Sequence, residues 1–160
     1  VRCVQIQLTI PQTSAGAVYS TLADFGRYPE FSPAVRSVTV TESSETVSVS
    51  SWEVNFRRGV LRWVEQDTFS AATHQIEFRQ LEGDVAVFDG SWTCVEVGAD
   101  TAVTFAARLD MGIPSLADAL EPIAARTLVD NTVAIVNGLF GDTARVDDIA
   151  VHTPGVPAVS

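Results

Sequence analysis

From Ala34 to Met111 the chain is punctuated by turn signals so closely spaced that nothing longer than a hairpin can join its neighbouring segments. Strand-like runs near 34–42, 45–56, 59–68, 73–81, 84–97 and 101–111 are broken at "SSE", "RRG", "FSAA", "EGD" and "GAD". Parallel neighbours need crossovers of about a dozen residues or more, so strands joined this tightly must be antiparallel. Residues 3–10, "CVQIQLTI", alternate apolar and polar and add a strand that Pro11 ends. Ser14 is placed to cap a helix reaching about Phe25, and Pro29 and Pro33 keep "GRYPEFSP" from forming a long one. A helical period then runs from Leu116 to about Leu139. Ser115 with Asp118 resembles a capping pair, Pro122 marks a kink or a restart near Glu121, and Gly138 and Gly141 mark the end. The expected fold class is α+β: a seven-stranded curved antiparallel sheet wrapped around a long C-terminal helix, with two short helices after the first strand. Residues 1–141 make one ligand-binding domain, and the aperiodic 142–160 make a loosely structured tail. A strongly curved sheet leaves space between itself and the helix, and such spaces bind small molecules.

Within this meander "GVLRWVEQD", Gly59 to Asp67, breaks the usual rule of one apolar and one polar face. Leu61, Trp63, Glu65 and Asp67 share a side by the period-2 geometry of an extended chain. Pairing across the "TFSAA" loop sets Asp67 against His74, Glu65 against Ile76, Trp63 against Phe78 and Leu61 against Gln80. The matching inward sets are Ala86, Phe88, Gly90, Trp92 and Cys94, then Val103, Phe105, Ala107 and Leu109. On the long helix, Leu120, Ala124, Leu128, Asn131, Ile135 and Leu139 fall on one stripe. Asn131 is its polar intruder, and a buried amide needs a partner: backbone, a sheet carboxylate or a ligand. Two readings of the carboxylates follow. Either the strand leaves the core near a hairpin end, or Glu65 and Asp67 line a pocket. In a pocket of aromatic rings a carboxyl loses hydration, its pKa rises, and it can exchange protons with a carbonyl or a carbon acid.

The net charge of -10 disfavours nucleic acid and anionic membrane surfaces as partners. No apolar run approaches the ~20 residues of a membrane span, and the N-terminus lacks a signal-peptide pattern, so a cytoplasmic location and no membrane insertion are expected. Cys3 and Cys94 with His74 and His152 give no zinc-ligand spacing; no metal and no cofactor are expected. Arg57, Arg58 and Arg62 in "FRRGVLR" form a basic cluster in an acidic chain, either a solvated turn or a docking point for an acidic protein.

"VYSTLADFGRYPEFSPAVRSVTV", "LRWVEQD", "FDGSW" and "PIAARTLVDNTVAIVNGLF" resemble the helix-grip, START-like (SRPBCC) superfamily, in its polyketide cyclase/dehydrase branch of bacterial aromatase/cyclases. The resemblance covers about Cys3 to Phe140. It implies a cavity for a hydrophobic small molecule or polyketide chain, with polar positions at Tyr28, Glu65, Asp67 and Asn131. It implies aromatic walls at Trp63, Trp92 and Phe105, and Leu61, Phe78, Phe88, Leu128, Phe31 and Trp52 are the further candidate substrate-binding positions of this chain. The chain departs from the aromatase/cyclases in carrying Asp67 where they carry arginine, which makes its cavity more acidic. The implied activity is cofactor-independent aldol cyclisation or dehydration, with Glu65 as acid/base, Asp67 assisting, and Asn131 and Tyr28 orienting carbonyls. An acyl carrier protein is the implied partner, and the chain is expected as a monomer or homodimer. The alternative within the superfamily is a non-catalytic lipid or quinone carrier, like the coenzyme Q-binding members.

Overall fold

The computed structural model describes the backbone of residues 1–112 and 114–153, and the side chains of 1–112 and 119–153. Strand β1 (Arg2–Ile10) leads through α1 (Ala15–Leu22), a 3₁₀ turn (Phe25–Arg27) and α2 (Tyr28–Phe31) to a meander. The meander comprises β2 (Val35–Ser43), β3 (Val47–Phe56), β4 (Gly59–Ser70), β5 (Gln75–Gly83), β6 (Val87–Val97) and β7 (Asp100–Asp110). Helix α3 (Pro114–Phe140) and strand β8 (Arg145–His152) follow. The sheet order is β2-β3-β4-β5-β6-β7-β1-β8, every neighbouring pair antiparallel.

Local chemistry explains these boundaries. The Ser14 hydroxyl accepts from the Ala17 N–H at 3.2 Å and starts α1, which stops at Leu22, short of the expected Phe25. Helix α3 runs through Pro122 without restarting. It ends at Phe140, where Gly141 takes the left-handed φ of 81° and its N–H donates to the Asn137 carbonyl at 2.9 Å. The expected Ser115–Asp118 cap lies outside the described residues. The core forms where the inward residues of β1 (Val4, Ile6, Leu8, Ile10) and β7 (Val103, Phe105, Ala107, Leu109) meet the buried stripe of α3, including Ala125, Val129 and Val136.

Three expectations need correction. The sheet has eight strands, because residues 145–152, expected to be loose tail, pair with β1 from Cys3↔His152 to Thr9↔Arg145. Val146, Ile149 and Val151 lie opposite Leu8, Ile6 and Val4, so the new strand extends the apolar face of β1. The β4–β5 pairing is also four residues away from the expected one at Glu65 and Asp67, and five away at Trp63, beyond a bulge in β5. Strand β4 continues to Ser70, the turn falls at 71–74 with His74 at φ 52°, and the true partners are Asp67↔Phe78, Glu65↔Gln80 and Trp63↔Gly83. The four-residue slip is even and keeps Ile76 and Phe78 on the face of Glu65 and Asp67, so those inward assignments survive the wrong register. Finally, Ala86 is exposed before β6 begins, and Val85 takes the buried position.

Candidate functional site

Between the concave face of the sheet, α2 and α3 lies a cavity of about 120 Å³. A single water needs roughly a tenth of that, so the space suits a multi-atom ligand. Eleven of the thirteen residues read as site positions line it: Tyr28, Trp52, Leu61, Trp63, Glu65, Phe78, Phe88, Trp92, Phe105, Leu128 and Asn131. Phe31 does not. Its ring packs over Gly138 of α3, with the Arg27 guanidinium 5.3 Å from its centre. Asp67 does not line the cavity either; it is fully buried behind Glu65 rather than wet at a strand end. The wall also takes Phe25, Val35, Val54, Phe56, Val85 and Thr132, among others that sequence reading missed. Phe25 carries a visible signal, since it heads the aromatic-rich turn before Tyr28.

Aromatic packing fixes the wall. Trp52 and Trp63, cross-strand partners on β3 and β4, stack at 5.7 Å and 6°. The edge of Trp63 meets Phe88 at 5.4 Å, and Phe105 stacks on Phe78 at 5.9 Å and lies 4.7 Å from Trp92. Gly90, between Phe88 and Trp92 on β6, has no room for a side chain: a Cβ would sit 2.1 Å from the Ala106 carbonyl and 2.7 Å from Phe78.

The polar centre is β4. Opposite the step from Val64 to Glu65 the neighbouring strand β5 carries a bulge at Leu81, so β5 and not β4 takes the extra residue beside the carboxyl. Glu65 is 3% exposed and its Oε1 accepts from the Trp63 indole N–H at 2.8 Å. Burial, then the hydrogen bond and charge of Asp67, push the Glu65 carboxyl well above its ordinary range, against the smaller opposing effect of Trp63. Asp67 Oδ2 accepts from the Ser50 hydroxyl at 2.7 Å and from Ser48 at 3.3 Å, and the Trp52 indole donates to Ser50 at 2.8 Å. Burial raises the Asp67 carboxyl too, but Glu65, Ser50 and Ser48 all pull it back. Among the described residues, the buried side-chain atoms lacking a partner are Asp67 Oδ1 and Gln80 Oε1, and Gln80 stands directly across the ladder from Glu65. Burial thus disfavours the charged form of both carboxyls, and the hydrogen bond between them raises Glu65 while it lowers Asp67.

The other polar residues differ in what they can offer. The Tyr28 ring lines the cavity, yet its hydroxyl donates to the Leu22 carbonyl at 2.6 Å. Burial, then Glu65 and Asp67, push that phenol well above 10, so it stays protonated with its proton committed to the backbone. Asn131 Oδ1 accepts from the buried Ser32 hydroxyl at 3.3 Å, and among the described residues its Nδ2 has no partner. Its amide is thus oriented with the donors available to the cavity. The described residues contain no group of three or more His, Cys, Asp or Glu suited to a metal. No described helix is long and apolar enough to cross a membrane.

The model of the family described as polyketide cyclase / dehydrase and lipid transport matches residues 12–136. No curated protein matches the sequence. Solved structures share the fold at low identity. TTHA0849 from Thermus thermophilus aligns with a TM-score of 0.79 at 20% identity, over 88% of this chain and 96% of that one. The Zhui aromatase/cyclase from Streptomyces sp. R1128 gives 0.76 at 20%, over 89% and 94%. A START superfamily protein from Mycobacterium smegmatis gives 0.73 at 16%, over 88% and 97%. At these identities the likeness concerns the fold.

Proposed function

This chain belongs to the polyketide cyclase/dehydrase and lipid transport family, and we propose that it binds a polyketide-type substrate in its cavity and assists aldol cyclisation and dehydration without a cofactor. One observation carries this reading: an aromatic wall broken by a single buried carboxyl, Glu65, hydrogen-bonded to the Trp63 indole. Aldol closure needs a proton on the acceptor carbonyl oxygen and loss of one from the donor carbon. Glu65 gives the first and, as carboxylate, takes the second, returning to its starting state. In dehydration the same group protonates the departing hydroxyl, which leaves as water, and recovers the proton from the adjacent carbon. Asn131 Nδ2 holds a carbonyl oxygen from the helix side. Tyr28 serves as wall, since its proton is committed to Leu22.

The test is turnover of a synthetic poly-β-ketone thioester followed by chromatography and mass spectrometry. Wild type gives one cyclised, dehydrated product; Glu65→Gln gives the uncatalysed mixture while still quenching its tryptophan fluorescence on binding. Wild-type product from Glu65→Gln overturns the assignment. An acyl carrier protein is the proposed donor of the chain. Arg57 and Arg58 form the exposed β3–β4 tip, adjoining the lining residues Phe56 and Leu61, and neither has an ion pair among the described residues, whereas Arg62 is taken by Glu53 at 3.8 Å. Reversing both charges is expected to raise KM for carrier-bound substrate and leave the free thioester unaffected.

The almost wholly apolar wall favours a second reading, a carrier for a lipid or quinone. Native mass spectrometry decides: an intact apolar molecule co-purifying equally with wild type and Glu65→Gln supports transport over catalysis.

A further inference from the structure

Asp67 never meets the cavity, yet it has more hydrogen-bond partners than any carboxylate around it. Ser48 and Ser50 reach its Oδ2 from β3, and Trp52, a cavity-wall residue, reaches Ser50. Its Oδ1 has no fixed donor. Two residues along the same strand face, Glu65 has one oxygen bonded to the Trp63 indole. The two indoles that end these chains are the stacked pair in the wall.

We propose that Asp67 is a positioning residue: the Ser48 and Ser50 hydroxyls hold it as the anion, so the proton shared by the pair stays on Glu65, the carboxyl that faces the ligand. This rests on Glu65 being the proton donor of the cavity. The physics is a competition between two buried sites for one proton. Hydroxyl donors favour the charged form of the group they touch. Asp67 has two, whereas Glu65 has one indole donor, and the empty Oδ1 is the acceptor that a proton on Glu65 satisfies. The titratable groups acting on the pair from other elements are few. Tyr28 faces it from α2, and Asp24 and Cys94 lie further out, coupled to Tyr28. From α3 the facing groups are Asn131 and Thr132, which do not titrate.

The chain contains three tryptophans, so three indole N–H signals in the ¹⁵N–¹H spectrum of tryptophan-labelled protein report the arrangement without any ligand. The Trp63 signal reads the charge on Glu65, the Trp52 signal reads Ser50, and Trp92 is the reference. Wild type is expected to titrate at Trp63 well above the ordinary carboxylate range. Asp67→Asn, which removes the charge and keeps the shape, should lower that midpoint by about one to two pH units. The double variant Ser48→Ala/Ser50→Ala should move the neutral-pH Trp63 signal toward the position that wild type reaches only when Glu65 ionises, because the proton now resides on Asp67. An unchanged Trp63 midpoint in Asp67→Asn overturns the proposal. So does a double variant in which Trp52 moves and Trp63 does not, the result a merely structural network gives. If Asp67→Asn loses the dispersed Trp92 signal and with it the fold, the double variant decides. Because these spectra need no substrate, they fail or succeed separately from the turnover test of Glu65.

Discussion

Replacing Glu65 by glutamine should make the protein more stable at neutral pH, and the gain should disappear in mild acid. Glu65 is 3% exposed, and burial followed by Asp67 holds its carboxyl well above 4.5. The unfolded chain titrates it near 4.5. Between that pH and the folded midpoint, unfolding releases a proton, so rising pH favours the unfolded state by about 1.4 kcal/mol per pH unit. Below the unfolded value both states hold the proton and the effect vanishes; above the folded midpoint it levels off. Glutamine has the shape of the neutral acid. Its Oε1 accepts from Trp63 as Glu65 does at 2.8 Å, and its Nε2 supplies the donor that Asp67 Oδ1 lacks. The variant therefore keeps the hydrogen bonds and loses the slope. From about pH 5 to pH 7 its advantage should grow by up to about 2.7 kcal/mol. Urea unfolding at half-unit intervals, followed by tryptophan fluorescence, measures it, and Asp67 cancels to first order because both proteins carry it. Parallel curves for the two proteins across that range would refute the reasoning, since they require Glu65 to be ionised when folded.

Other consequences follow from packing. Gly138→Ala, ordinarily a stabilising change inside a helix, should instead cost about 1–3 kcal/mol in urea unfolding, because the new methyl lies 2.3 Å from the Phe31 ring. Ala124→Phe should fill the cavity from α3 and abolish uptake of an apolar fluorescent dye while leaving the far-ultraviolet circular dichroism unchanged. Cys94 is buried, with its thiol pushed up to about 11, so in mildly alkaline buffer a thiol reagent should modify it only after unfolding. Ending the chain at Ala144 removes β8, bares the edge of β1 and should promote aggregation measurable by light scattering.

The meander was legible because hairpin-length breaks leave antiparallel pairing as the only choice, and the period of two then sorted Trp63, Glu65, Phe78, Phe88, Trp92 and Phe105 to one face. The β4–β5 register was not legible. Thr68, Phe69 and Ser70 are compatible with either strand or turn, and what decided was pairing of β4 with β3 as far as Val47↔Thr68. Strand β8 escaped because Asp147 and Asp148 interrupt its apolar residues; its alternation makes sense only once β1 stands beside it. The serines were the most consequential omission. Ser48 and Ser50 share the inward period of Trp52 and Val54, a signal present in "VSVSSWEV", but hydroxyls on a core face gain meaning only when a buried carboxylate is found opposite. The two readings of Asp67, near solvent or lining a pocket, stayed open for the same reason, since nothing in its own strand reveals the donors of β3.

The mechanism stands or falls on Glu65 presenting a proton to whatever fills the cavity. Infrared absorption in the carboxyl stretching region, wild type minus Glu65→Gln at neutral pH, observes that proton when recorded with and without an unreactive aromatic ketone. The expected spectrum has a protonated-carboxyl band that vanishes in the variant and shifts to lower frequency when the ketone binds. A difference spectrum showing only carboxylate bands, or a protonated band indifferent to the bound ketone, would contradict the assignment of Glu65 as proton donor.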